Sequence, residues 1–106
     1  MSNISFNYLY RDYGNYKRYG SVIFSNPGNL PLAEIDTIIR NCIWDYRIFY
    51  AHQWKLSPLF FPEHHAELDH PFHEYESVEL TDETPTDERI IDTFLSEIQS
   101  CFKPLI

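Results

Sequence analysis

The stretch "ISFNYLYRDYGNYKRYGSVIFS", residues 4–25, decides the architecture. Ile4, Phe6, Tyr8 and Tyr10 alternate with Ser5, Asn7, Leu9 and Arg11, the period of a strand with one buried face. "DYGN" (12–15) supplies turn chemistry, because Gly14 and Asn15 tolerate positive φ. The return, "YKRYGSVIFS" (16–25), puts Val22 and Phe24 on one face and Ile23 and Tyr19 on the other. The two runs predict an antiparallel hairpin.

Beyond the breaker "NPGN" (26–29), Leu32, Ile35, Ile38, Ile39, Cys42 and Ile43 recur at helical spacing, which predicts a helix over 32–43. Asp36 and Arg40 form an i,i+4 pair on its polar side. The aromatic stretch 44–61, interrupted by Pro58, reads as one or two short strands with an irregular connection. In 72–80 the apolar residues Phe72, Tyr75, Val78 and Leu80 do not alternate cleanly, so a strand with a bulge or an edge position is expected. Thr84–Pro85–Thr86–Asp87 fits a capping box with proline at the first helical position. A stripe from Ile90 to Phe102 then predicts a helix over 85–102. The order β-β-α-β-β-α defines a single α+β domain over 1–106, an antiparallel sheet covered by two helices.

At 106 residues, with 43% hydrophobic and 17% aromatic content, the chain holds material for one compact core. No apolar run approaches the roughly 18–20 residues that span a bilayer. The start, "MSNISFNYLY", lacks the basic and apolar regions of a secretion signal, so a cytoplasmic protein is expected. Cys42 and Cys101 both fall on apolar stripes and read as core packing. Charge is uneven. Residues 1–55 carry six bases and four acids, whereas 56–106 carry two bases and twelve acids. An acidic half of that kind repels nucleic acid and attracts basic partners.

The segments "YRDYGNYKRYGSVIFSNPGNL" and "ELDHPFHEYESVELTDETPTD" resemble a family of small uncharacterised bacterial proteins with a tyrosine-arginine-aspartate turn, a "GNYK" hairpin, a "FSNP" break and a "DH-x-x-HE" segment. The likeness covers roughly residues 8–100 and is associated with mobile genetic elements, including integron gene cassettes. It implies bacterial origin, a cytoplasmic location and an accessory role, and assigns no chemistry to any residue. Pro31 stands where such a resemblance leads one to expect a serine cap on the first helix.

"EHHAELDHPFHEYE" (63–76) gathers four of the five histidines with five acids. Zinc and similar metals need three or four converging ligands. His70 and His73 are the candidate metal ligands, with Glu63, Glu67, Asp69, Glu74 and Glu76 available to complete a set. On a strand over 72–80, His73 and Tyr75 would point one way and Glu74 and Glu76 the other. The spacing matches no defined metal signature. The competing reading is a polar surface connection whose acids hold the histidine pKa values up, with a pH response near 6–7.

Tyr8, Tyr10, Tyr13, Tyr16 and Tyr19, interleaved with Arg11, Lys17 and Arg18, suit cross-strand pairing, base stacking or a protein-binding surface. Tyr13, Tyr16, Glu74 and Glu76 are the candidate partner-binding residues. A pocket walled by Trp44 and Trp54 would suit a small molecule. No G-x-S-x-G, P-loop or clustered glycine supplies a catalytic motif. The sequence therefore favours a non-catalytic interaction module that binds itself, as a homo-oligomer, or another protein. Two alternatives stand beside it: a divalent-metal binder or metal-dependent hydrolase using His70 and His73, and an acidic immunity- or antitoxin-like inhibitor of a basic protein. Beyond that divalent metal, no cofactor is expected.

Overall fold

The computed structural model describes residues 2–62 and 70–102. The chain forms β1 (Asn3–Arg11), β2 (Lys17–Phe24), α1 (Leu32–Arg40), β3 (Ile48–Phe49), a short 3-10 helix (Ala51–Trp54), β4 (His73–Thr81) and α2 (Ile91–Cys101). The α+β order read from the sequence holds, with four antiparallel strands in the order β2-β1-β4-β3.

The hairpin closes as expected. Asn15 takes φ 67°, its N–H donates to the Asp12 carbonyl at 3.0 Å, and the Tyr16 N–H donates to Asp12 Oδ1 at 2.8 Å. The β1–β2 register sets Ile4 opposite Phe24, Phe6 opposite Val22 and Tyr8 opposite Gly20. A Cβ on Gly20 would meet Leu59 Cδ2 at 2.9 Å, so the missing side chain lets the 57–60 segment lie against the sheet.

β4 carries the bulge that its irregular pattern announced. Asn7 faces Ser77 and Tyr8 faces Tyr75, which leaves Glu76 as the extra residue. It is an inner strand, flanked by β1 and, over two residues only, by β3. The 44–61 stretch yields that two-residue strand and the 3-10 helix. Before β3, a tight turn closes with Asp45 and Tyr46 both at positive φ.

Two helix boundaries move. α1 ends at Arg40 rather than 43, yet Cys42 and Ile43 stay buried because the Cys42 N–H turns back to the Ile39 carbonyl at 2.9 Å. Its start is Pro31, with no side-chain cap. α2 begins at Ile91, not 85. The capping-box residues are used elsewhere: the Thr86 hydroxyl accepts from the Ile23 N–H at 2.9 Å, and the Thr86 and Asp87 N–H groups donate to the Ile23 carbonyl. Ile90 bridges Ser25 in parallel. An unpaired edge of β2 competes with the first helical turn for the same backbone, and the edge wins.

Both helices cover one face of the sheet. Ile4, Phe6, Tyr8 and Phe24 meet Ile35 and Ile39 of α1, and Ile91, Phe94, Leu95 and Ile98 of α2. The Phe6 ring touches those of Tyr8, Phe49, Trp54, Tyr75 and Phe94 at 5.3–6.0 Å between centroids. Arg89 ties the layers. Its guanidinium lies over Phe24 and Phe94, donates to the Trp54 and Lys55 carbonyls that end the 3-10 helix, and pairs with Asp87 at 2.8 Å. Cys42 lies within this core and Cys101 packs against it, both as free thiols. No helix among the described residues is long and apolar enough to cross a membrane.

Candidate functional site

Glu63, Glu67 and Asp69, offered above to complete a ligand set, lie outside the described residues. His70 Nδ1 accepts the Phe72 N–H at 3.1 Å, and its ring stacks on Phe72. His73 is 1% exposed and sits among the rings of Tyr8, Tyr10, Phe49 and Phe60. Its Nε2 accepts the Leu59 N–H at 2.9 Å, so the proton of the neutral ring is assigned to Nδ1. The segment is therefore not a polar surface connection at this residue.

The expected direction of the pKa is also reversed. Desolvation pushes His73 from 6.5 down to about 4. Nδ1 has no partner in hydrogen-bond geometry, so the nearby Pro71 carbonyl only softens the shift. The acids adjacent in sequence do not reach the ring, because alternation sends Glu74 to the other face of the sheet. Among the described residues, no three His, Cys, Asp or Glu side chains gather to hold a metal ion.

The five hairpin tyrosines separate by position. Tyr8 and Tyr10 are buried, whereas Tyr13, Tyr16 and Tyr19 are 76%, 71% and 61% exposed. Within the β1–β2 hairpin, tyrosine does not stand opposite tyrosine: Leu9 faces Tyr19, Tyr10 faces Arg18, and Arg11 faces Lys17. The Tyr8 hydroxyl donates to the Ser57 carbonyl and that of Tyr10 to the His70 carbonyl, each at 2.7 Å. Tyr13 and Tyr16 lie in the turn between the two strands and Tyr19 on β2, two residues beyond Lys17. Arg11 forks onto Glu74 at 2.8 and 3.3 Å and reaches Asn15 Oδ1 at 2.7 Å. Glu74 is thus 12% exposed and engaged, with Arg47 4.0 Å away, while Glu76 stands exposed at the bulge.

A cluster that hydropathy did not announce joins β4 to α1. The Tyr75 hydroxyl donates to Asp36 Oδ1 at 2.5 Å, Arg40 Nε donates to Oδ2 at 2.8 Å, and the guanidinium lies over the Tyr75 ring. Burial, then the Asp36 carboxylate, push the Tyr75 phenol far up; burial opposes ionisation of Asp36, but its two donors hold its carboxyl below the ordinary value. A phenol so held is a hydrogen-bond donor and not a base. The i,i+4 spacing of Asp36 and Arg40 was legible, but their third member, 39 residues away, was not.

The two tryptophans do not share a pocket. Trp54 is buried and stacks on Phe49 at 4.3 Å, whereas Trp44 lines a shallow groove of about 210 Å³ with Ile48, Tyr50 and Phe72. A cleft of about 340 Å³ lies between β2 and the 55–59 segment, floored by Tyr8, Val22, Leu56 and Leu59. At its rim Lys55 is paired with Glu97 at 3.1 Å.

Opposite the core, the second face of the sheet carries Asn3, Ser5, Asn7, Leu9 and Arg11 of β1, Lys17, Tyr19, Ser21 and Ile23 of β2, and Glu74, Ser77, Glu79 and Thr81 of β4. No described helix packs on it. Leu9 and Ile23 are buried by their neighbours yet stand apart from the main core. At its centre Asn7 Oδ1 accepts the Ser5 and Ser21 hydroxyls at 2.8 Å, and Asn7 Nδ2 donates to Ser77 Oγ at 3.1 Å. No family model, curated protein or solved structure matches the chain.

Proposed function

We propose that this chain is a non-catalytic protein-interaction module whose contact surface is the tyrosine-rich, basic end of the β1–β2 hairpin. The observation that carries the reading is the exposure of Tyr13 and Tyr16, on a turn held by backbone and Asp12 hydrogen bonds, together with Tyr19 on the adjoining strand. Exposed aromatic rings beside Lys17 and Arg11 have the composition of interface anchors: large contact area, two side-chain torsions to immobilise, and a polar tip. A rigid turn lowers the ordering cost of binding further. The charged groups nearest the interior favour the same reading, because Asp36, Asp87 and Arg89 are held by one another or by neighbouring groups within the fold. The accessory role implied by the bacterial mobile-element resemblance belongs to this proposal.

The test is a photoreactive residue at Tyr16, compared with one at Gln99 on the exposed side of α2. The expected result is a discrete protein adduct from position 16 alone. Tyr13→Ser with Tyr19→Ser should reduce its yield by roughly tenfold, the effect of losing an interface anchor. Equal labelling at both positions, or none at either, overturns the reading.

A further inference from the structure

We infer that the partner is a second copy of this chain, docked face to face through the side of the sheet on which no described helix packs; this rests on the interaction reading above and names its partner. The face is self-complementary along the strands. Take the row of Asn7, with Ser21 and Ser77, as its centre. Four residues along β1 in one direction lies Arg11, opposite Lys17; four in the other lies Asn3, opposite Thr81.

The two ends differ in charge. On this face the first end carries Lys17 and Arg11, with Arg11 paired to Glu74, whereas the other end carries Glu79 and, in the turn after β4, Asp82 and Glu83. Lys17 and Tyr19 occupy the basic corner, on β2. Glu79 and the 81–83 segment occupy the acidic corner, on β4. These corners are diagonal across β1, because β2 and β4 flank it on opposite sides.

A two-fold axis lying between two such faces, and crossing the strands near Asn7, runs the two sheets antiparallel and lays each basic corner on the other copy's acidic corner. The strands then cross at an angle near the roughly 30° natural to packed twisted sheets. Both ion-pair sets form at once, as an isologous contact requires.

The centre suits the same arrangement. Ser5, Asn7, Ser21 and Ser77 are short, so two faces approach closely. Their hydroxyls and amide are already bonded to one another, so covering them leaves few polar groups newly unpaired. Tyr19, 61% exposed, lies two rows from the centre and meets the row of Ser5 and Glu79 in the second copy. Three strands of this length present a face of roughly 15 by 30 Å, so the dimer would bury about 1,000 Å² in total, the lower end for a specific contact. Association in the micromolar range follows, with a marked salt dependence.

The experiment is sedimentation of the full chain from low-micromolar to near-millimolar concentration, at low and at half-molar salt. The expected result is a concentration-dependent shift to twice the 12.7 kDa chain mass, weakened at high salt. Ser21→Lys, which places two like charges at the centre, should abolish the dimer while circular dichroism and thermal midpoint stay near those of the parent. Lys17→Glu should weaken it by about tenfold, and Glu79→Lys added to it should restore it. Rescue between strands that do not touch within one chain cannot arise from monomer folding. A chain that stays monomeric throughout, a dimer that Ser21→Lys leaves intact, or a charge pair that does not rescue overturns the inference. A monomer whose position-16 adduct contains a different protein also overturns it and leaves the interaction reading standing; a monomer with no adduct overturns both.

Discussion

The two faces of β1 come from one nine-residue strand and differ in almost every physical respect. Ile4, Phe6, Tyr8 and Tyr10 are removed from water and ringed by aromatics, while Ser5 and Asn7 on the reverse face bond to each other and to Ser21 and Ser77. The first face is held by burial and contact between rings, the second by a closed polar network at the surface. Substitutions one residue apart should therefore have unequal consequences. The buried polar group on the first face, His73, should behave unlike a histidine in water.

Phe6→Ala is the strongest way to break the contrast. Removing the ring at the centre of five aromatic contacts should cost about 4 kcal/mol in urea unfolding. A loss below 1 kcal/mol would mean that the core face is not packed as described.

Acid is the next largest effect. His73 has a folded pKa of about 4 against an unfolded value of 6.5, so between those values the unfolded chain binds the proton and the folded one does not. Stability is full above pH 6.5 and falls as pH drops from 6.5 toward 4, by about 3 kcal/mol in all. Denaturation midpoints across that window should show the slope, and His73→Leu should flatten it. Asp36 and Asp87, whose pKa values are depressed, add their own losses at the lower end of the range and below.

Asn7→Ala sharpens the comparison from the other side. It deletes three side-chain hydrogen bonds, yet of the three serine hydroxyls left behind only that of Ser5, 8% exposed, is buried; Ser21 and Ser77 are exposed or half-buried. The expected loss is about 1 kcal/mol. A cost approaching that of Phe6→Ala would show that the polar face is a second core.

The hairpin was legible because its period-2 pattern, its turn residues and the β1–β2 pairing are all local. The bulge in β4 was legible as an irregularity, but its position at Glu76 needed the register against β1. The start of α2 was misread because Thr84–Asp87 satisfies a helix cap and a strand edge equally well in sequence. His73 was misread because its neighbours Glu74 and Glu76 are acidic, and charge counted along the chain ignores which way alternate side chains point. In the hairpin, alternation grouped Tyr8 and Tyr10 with Ile4 and Phe6, but it left open which of the five tyrosines face the core and which face solvent.

By itself, the sequence determined the α+β class, the element order and the apolar side of each long element, since these rest on periodicities that extend only a few residues. The tertiary structure alone decided that β4 sits beside β1, that His73 lies in an aromatic cage, that Tyr75 reaches Asp36, and that no described helix packs on the second face of the sheet. Each of these depends on residues tens of positions apart competing for the same buried volume or the same unpaired backbone, and a local pattern carries no record of which competitor wins.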